Sequence, residues 1–193
     1  FWWGLITNTQ VTEKWSWWND FHFVNQLFFI YRTGATYLSP NSRWVTTGGY
    51  AILKLGAPFS QGQLVRAEHR PWFQTIYRVP STKSVSTSFR FRYDARFIAN
   101  LSDSSIAPGY AFNSRWRFNN AFRYAWGNRL SRHFNFTTSM LNESLITTGK
   151  GPNGVPFEHR SHLMLAFSKK DITLNAGYVV RFLAVNPSLL RIN

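Results

Sequence analysis

The chain reads as all-β: a single transmembrane antiparallel up-and-down β-barrel, with about ten strands visible. Three observations predict it. Apolar and polar residues alternate along nearly the whole chain, and period-2 alternation belongs to strands, whose side chains point to opposite faces in turn. The clearest stretch is Ser88-Phe89-Arg90-Phe91-Arg92-Tyr93-Asp94-Ala95-Arg96-Phe97, with one aromatic face and one ionic face. Aromatic residues make up 18% of the chain and charged residues only 16%. Finally, the apolar faces are too many for one soluble core, so they need lipid. No window approaches the roughly 18 consecutive apolar residues of a membrane helix. The longest apolar run, Leu27 to Tyr31, has the length of a strand segment.

Ten strands follow in order. Trp2–Gln10 runs to the polar turn Thr12-Glu13-Lys14. Trp15–Val24 and Leu27–Tyr37 come next, the latter closed by Ser39-Pro40-Asn41-Ser42. Trp44–Leu55 gives way to the Gly/Pro/Ser-bearing loop Gly56–Val65. Ala67–Val79 ends at Pro80-Ser81-Thr82-Lys83, and Val85–Ile98 carries the alternation quoted above. A second longer loop, Asn100–Ser114, precedes Arg115–Trp126, and Gly127–Ser131 turns the chain into His133–Thr147. The third longer loop covers Thr148–Phe157; Arg160–Phe167 and Ile172–Phe182 then flank Ser168-Lys169-Lys170-Asp171. Several strands exceed ten residues, which suits tilted membrane strands of about 9–11 residues with overhangs. Short turns at one end and longer loops at the other are a membrane-barrel habit.

Residues 1–193 form one domain, without a linker or low-complexity segment. No signal peptide is visible, so an exported protein would begin after cleavage. The chain ends Asn186-Pro187-Ser188-Leu189-Leu190-Arg191-Ile192-Asn193, entering another strand without the terminal aromatic residue usual in outer-membrane barrels. The expectation is one or two further closing strands, about 12 in the complete protein.

The faces follow from parity. Phe89, Phe91, Tyr93, Phe97, Trp116, Phe118, Phe122, Tyr124 and Trp126 point outward, as do Ile172, Leu174, Tyr178, Val180 and Phe182. Trp15, Trp17, Trp44, Trp116 and Trp126 lie near strand ends, where interfacial aromatic girdles belong. The expected lumen network comprises Asp20, Arg32, Glu68, Arg70, Arg90, Arg92, Asp94, Arg96, Arg115, Arg117, Arg123, Glu143, Arg160 and Arg181. A soluble barrel with a ligand cavity would need the reverse, an apolar lumen and a polar exterior. Packing so many Arg into a dry soluble core is opposed by the cost of unpaired buried charge.

The formal net charge is +14, with 22 Lys+Arg against 8 Asp+Glu. Such a balance suggests nucleic acid. The bases form no run, however, and neither a helix-turn-helix, a ribonucleoprotein motif nor a zinc finger is present. No nucleic-acid partner is expected. The short turns carry Lys14, Arg43, Lys83, Arg129, Arg132, Lys169 and Lys170, a basic rim suited to lipid phosphates, including those of lipopolysaccharide. Cysteine is absent, which excludes disulfides and thiolate metal sites.

Glu-His-Arg occurs twice, as Glu68-His69-Arg70 and Glu158-His159-Arg160. In a strand, Glu and Arg two apart share a face while His points the other way, so the tripeptide offers an ion pair rather than a triad. The competing reading is an acid–base or metal site using His22, His69, His159 or His162. These His lack a metal spacing, and no Ser, His and carboxylate set falls on one face by spacing alone. No metal or cofactor is expected.

Glu68-His69-Arg70-Pro71-Trp72-Phe73-Gln74, followed by the Arg-rich strand to Phe97, resembles a bacterial family of outer-membrane barrels known as domain of unknown function 2490. Its other signatures are Thr12-Glu13-Lys14-Trp15, Gly48-Gly49-Tyr50, Asn142-Glu143, Arg160 and Gly177-Tyr178. The resemblance spans most of the chain. It implies a barrel and an outer-membrane address, and no reaction. The function expected is that of a non-enzymatic structural or accessory subunit of a larger outer-membrane assembly, with outer-membrane lipids and other outer-membrane proteins as partners. The alternatives are a small anion-selective channel, because Arg rings select anions, and a lipid-modifying barrel enzyme using a His and a carboxylate.

Overall fold

The structure is a computed structural model. It describes residues 1–25, 27–56, 64–102, 105–127, 133–149, 157–170, 172–186 and 189–192. The strands are β1 (Trp2–Gln10), β2 (Trp15–Val24), β3 (Phe28–Leu38), β4 (Trp44–Leu55), β5 (Arg66–Arg78) and β6 (Val85–Ser102). They continue as β7 (Ser105–Gly127), β8 (Asn135–Gly149), β9 (Phe157–Lys169), β10 (Ile172–Asn186) and β11 (Leu189–Ile192). All belong to one sheet whose spatial order is the chain order. The meander is therefore up-and-down and antiparallel, as the alternation predicts. Among the described residues no ladder joins β11 to β1, so the sheet is open.

Several strand bounds shift by a few residues, and the largest difference from the expected elements lies between β6 and β7. The stretch expected as the loop Asn100–Ser114 is largely strand: β6 runs on to Ser102 and β7 begins at Ser105. Pro108-Gly109 reads as a turn, but Gly109 absorbs the irregularity within the strand at φ 86°, a region open to glycine. The Asn100 side-chain amide donates to the Pro108 carbonyl at 3.0 Å across the two strands. Outward parity then continues through the exposed Ile106, Tyr110 and Phe112. Trp116 is consequently in the middle of β7 rather than at a girdle position, with its ring 4.5 Å from that of Tyr93. Trp15 and Trp44 do open their strands, and Trp126 sits beside the end of its own.

The chain packs as two compact units. The first comprises Phe1–Thr75, Arg92–Trp116 and Thr147–Gly154; the second comprises Ile76–Phe91, Arg117–Ile146 and Val155–Asn193. The inner face of the first unit holds an apolar cluster of Ala51, Leu53, Leu55 and Trp72, with Trp18 and Ile30 against it. Trp72 packs edge-on to Trp18 at 5.5 Å between ring centroids. This apolar patch shares its face with the charges, and its residues are not among those assigned a face from the sequence. In the second unit, the outward rings of Phe91 and Phe118 pair at 5.3 Å, and those of Phe136 and Phe167 at 5.1 Å.

Gly34 and Gly49 face each other in the β3–β4 register. A Cβ on Gly49 would collide with the Thr33 carbonyl oxygen and lie 2.7 Å from Gly34 Cα. A Cβ on Gly34 would lie 2.7 Å from the Gly48 carbonyl oxygen and 3.2 Å from Trp72 Cζ2. The paired glycines let two backbones and an indole share one space. Gly49→Ala should lower stability by about 1–3 kcal/mol, the usual cost of overpacking, read as a lower guanidinium midpoint. Gly48→Ala, whose Cβ would meet open space, should leave that midpoint nearly unchanged.

Candidate functional site

The alternate positions of β5 and β6 place Arg66, Glu68, Arg70 and Trp72 on the same face as Arg92, Asp94, Arg96 and Ile98, and all eight are buried. Glu68 and Asp94 are 0% exposed. Carboxylates taken that far from water need partners. Glu68 has two. Arg70 donates from Nε to Glu68 Oε1 at 2.8 Å, and Arg96 grips both oxygens, Nε to Oε1 at 2.7 Å and Nη2 to Oε2 at 3.0 Å. The Arg96 pair is bidentate, the strongest form of this contact. Asp94 accepts Nε and Nη2 of Arg92 at 2.9 and 2.7 Å. A third carboxylate, Asp20, is paired with Arg32 directly across the β2–β3 ladder and lies 2.6 Å from His22 Nε2.

The indoles join this network. The Arg92 guanidinium carbon lies 4.5 Å from the Trp72 ring centroid, and that of Arg32 lies 5.5 Å from Trp18. A cation over an aromatic face is attracted by the ring quadrupole, all the more so when desolvated. The first unit thus carries an apolar cluster merging into ion pairs through two tryptophans.

The second unit repeats the chemistry with Glu143 and Glu158. Arg90 Nη2 donates to Glu143 Oε1 at 2.8 Å, and Arg160 Nη1 is 3.6 Å from Glu143 Oε2. Glu158 Oε1 accepts Nε of both Arg160 and Arg181 at 2.5 Å. Both Glu-His-Arg tripeptides accordingly form the expected intrastrand ion pair, with His on the opposite face. His69 Nδ1 lies 2.8 Å from the Tyr50 hydroxyl, and its ring is edge-on to Tyr110 at 5.4 Å.

The remaining predicted network residues find different partners. Arg115 donates to the Thr147 hydroxyl at 3.3 Å, and Arg123, more exposed than the others, donates to that of Thr137 at 3.5 Å. Arg117 lies on the inward parity of β7, half-buried. One member lies outside the expected network because β5 begins one residue before the expected Ala67. Arg66 opens β5 and donates twice to the Ala99 carbonyl, at 3.1 and 2.7 Å. Continuing the Glu68-Arg70 parity backwards by one step would have found Arg66. Glu158, already expected to pair with Arg160, joins the network from the second position of β9.

Of the basic rim, Lys14, Arg43, Lys83, Lys169 and Lys170 are exposed, in or beside the connections that follow odd-numbered strands. Arg129 and Arg132 lie outside the described residues. Lys169 Nζ sits 5.5 Å from the Phe134 ring centroid. No cluster of His, Asp and Glu among the described residues has the geometry of a metal site.

Comparison with known proteins adds a family. The model of the family described as "Protein of unknown function (DUF2490)" matches residues 1–188, and the chain belongs to that family. No curated protein and no solved structure matches the chain.

The network makes a stability prediction. Glu68→Gln removes the buried carboxylate that Arg70 and Arg96 share and should cost about 3–5 kcal/mol, as loss of one partner of a buried pair does. Replacing Glu68, Arg70 and Arg96 together by Met should recover most of that loss, since well-packed apolar substitutes for buried ion pairs are often neutral. Guanidinium unfolding in detergent micelles, followed by tryptophan fluorescence, measures both.

Proposed function

We propose that the protein is a bacterial outer-membrane β-barrel with a filled, ion-paired interior, serving as a rigid structural or accessory subunit that meets lipid and neighbouring envelope proteins through its outer surface. The observation that carries this reading is its inverted polarity. Carboxylates and guanidinium groups are among the buried residues, whereas Phe89, Phe97, Phe118, Phe122 and Trp126 are among the exposed ones. Water would penalise that aromatic face, and a hydrocarbon layer would not.

The excess of Arg over carboxylate raises the channel alternative, because guanidinium groups left over inside a barrel would attract anions. The contacts favour a plug. Arg66, Arg115 and Arg123 turn to a backbone carbonyl and to threonine hydroxyls, so neutral acceptors take up part of the excess. Small barrels are commonly filled by side chains in this way. The exposed Lys and Arg of the odd-numbered connections would meet a phosphate-bearing surface such as that of lipopolysaccharide.

Reconstitution tests the reading. The purified protein should float with liposomes and show a heat-modifiable band on electrophoresis, yet produce no stepwise current in planar bilayers. A stepwise anion current lost in Arg92→Met would establish the channel instead. Co-purification from native outer membranes should retain a protein partner; a protein recovered alone would remove the accessory role.

A further inference from the structure

A group of polar side chains interrupts the apolar outer face of the second unit. In the β8–β9 register Asn142 stands opposite Ser161 and Ser144 opposite His159. His159 and Ser161 are two residues apart on β9, so they share this face, away from Glu158 and Arg160. Cross-strand neighbours on one face have Cβ atoms about 4.5–5.5 Å apart, close enough for short side chains to touch. Ser161 Oγ lies 3.2 Å from His159 Nε2 and 2.8 Å from Asn142 Oδ1. On the other side of the ring, His159 Nδ1 lies 2.9 Å from Ser144 Oγ. Asn142 Nδ2 in turn donates to Asn120 Oδ1 at 3.3 Å. His159, Ser161, Ser144 and Asn142 are all half-buried and thus accessible. The exposed apolar side chains of Met140, Ile146, Phe157 and Leu163 lie on the same two strands.

We propose that Ser161 and His159 are a nucleophile and its base, and that this site cleaves fatty-acyl esters of membrane lipids. A nucleophile within hydrogen-bond reach of a base, with the base oriented by a third group, is the arrangement that acyl transfer needs. When Nδ1–H donates to Ser144, the Nε2 lone pair is left facing Ser161. The Ser161 hydroxyl proton has two acceptors in reach, Asn142 Oδ1 and His159 Nε2, and rotation about the Cβ–Oγ bond moves it to the ring. Ser161 Oγ then bonds to the ester carbonyl carbon as its proton passes to Nε2. The tetrahedral adduct breaks its bond to the alcohol oxygen, which takes the proton from Nε2 and leaves as a free alcohol. Water attacks the acyl-serine ester with His159 again as base. The carboxylic acid is released and the Ser161 hydroxyl restored, so ester plus water becomes acid plus alcohol. Ser144 and Asn142 are positioning residues, one for the ring and one for the hydroxyl.

The substrate class comes from the surroundings, because an apolar field around the pair favours acyl chains over a polar ester. That class rests on the outer face being lipid-facing; the nucleophile itself does not. Neither residue belongs to the inner-face network, so changing it leaves the ion pairs intact.

The test uses the full chain in detergent micelles with two probes: a fluorophosphonate, and phosphatidylcholine with a labelled acyl chain. Peptide mass spectrometry should place the fluorophosphonate on Ser161, and labelled fatty acid should be released. Ser161→Ala should abolish both. His159→Gln should slow both by about 10²–10⁴-fold, the usual contribution of a general base. Ser144→Ala should slow labelling and Ser144→Thr, which keeps the hydroxyl, should restore it, a rescue that a purely packing role would not produce. Each variant is checked for strand content by circular dichroism and for flotation with liposomes. Absence of an adduct on Ser161 in protein that floats overturns the proposal and leaves the membrane reading standing. An adduct without phospholipid cleavage overturns the lipid substrate. Protein that is folded yet fails to float overturns the membrane reading and the lipid substrate together, while an adduct on Ser161 still upholds the nucleophile.

Discussion

The rest of the structure depends on neutralising carboxylates that the fold has removed from water. Asp20, Glu68, Asp94, Glu143 and Glu158 are all buried, and each has an Arg at ion-pair distance. A lone carboxylate at such a position would oppose folding by several kcal/mol. Two devices supply the partner. One is local: a strand sets residues two apart on one face, which pairs Glu68 with Arg70, Asp94 with Arg92, and Glu158 with Arg160. The other is non-local, bringing Arg96 to Glu68, Arg90 to Glu143 and Arg181 to Glu158. Register then becomes part of the charge balance. A one-residue slip would turn every carboxylate to the opposite face.

Polarity on the outside follows from the same parity. Once Arg and carboxylate occupy one set of alternate positions, Phe, Tyr and Trp occupy the other, and the sheet becomes aromatic wherever it is not ionic. The inner face is not uniform, however. Ala51, Leu53, Leu55 and Trp72 form an apolar patch beside the charges, joined to them by Arg92 over Trp72 and Arg32 over Trp18. That junction gives each guanidinium group an aromatic face beside its carboxylate partner. It also uses the space that the paired Gly34 and Gly49 leave open.

Much of the fold was legible because strand alternation is a strong local signal. β1, β2 and β4 begin and end where the pattern does. The failures share a cause. Pro108-Gly109 carries turn chemistry, yet in β7 its left-handed glycine is accommodated within a strand that pairs on both sides. Arg66 and Glu158 fall just before the expected strands, beside segments rich in Gly and Pro. Whether such a residue joins a strand depends on the neighbour's ladder, which its own sequence does not contain.

By itself, the sequence determined the period, the faces and the sign of each face, because side-chain direction in a strand is set by the residue's own position. It also determined the intrastrand Glu-x-Arg pairs and the outward turn of His69 and His159. Only tertiary structure decided which Arg from another strand meets which carboxylate, and that neutral acceptors take up part of the surplus Arg. It also decided that His159 meets Ser144 and lies beside Ser161 and Asn142. Those contacts depend on register between strands rather than on position within one, and register is settled by the whole sheet at once, where packing and charge pairing must agree.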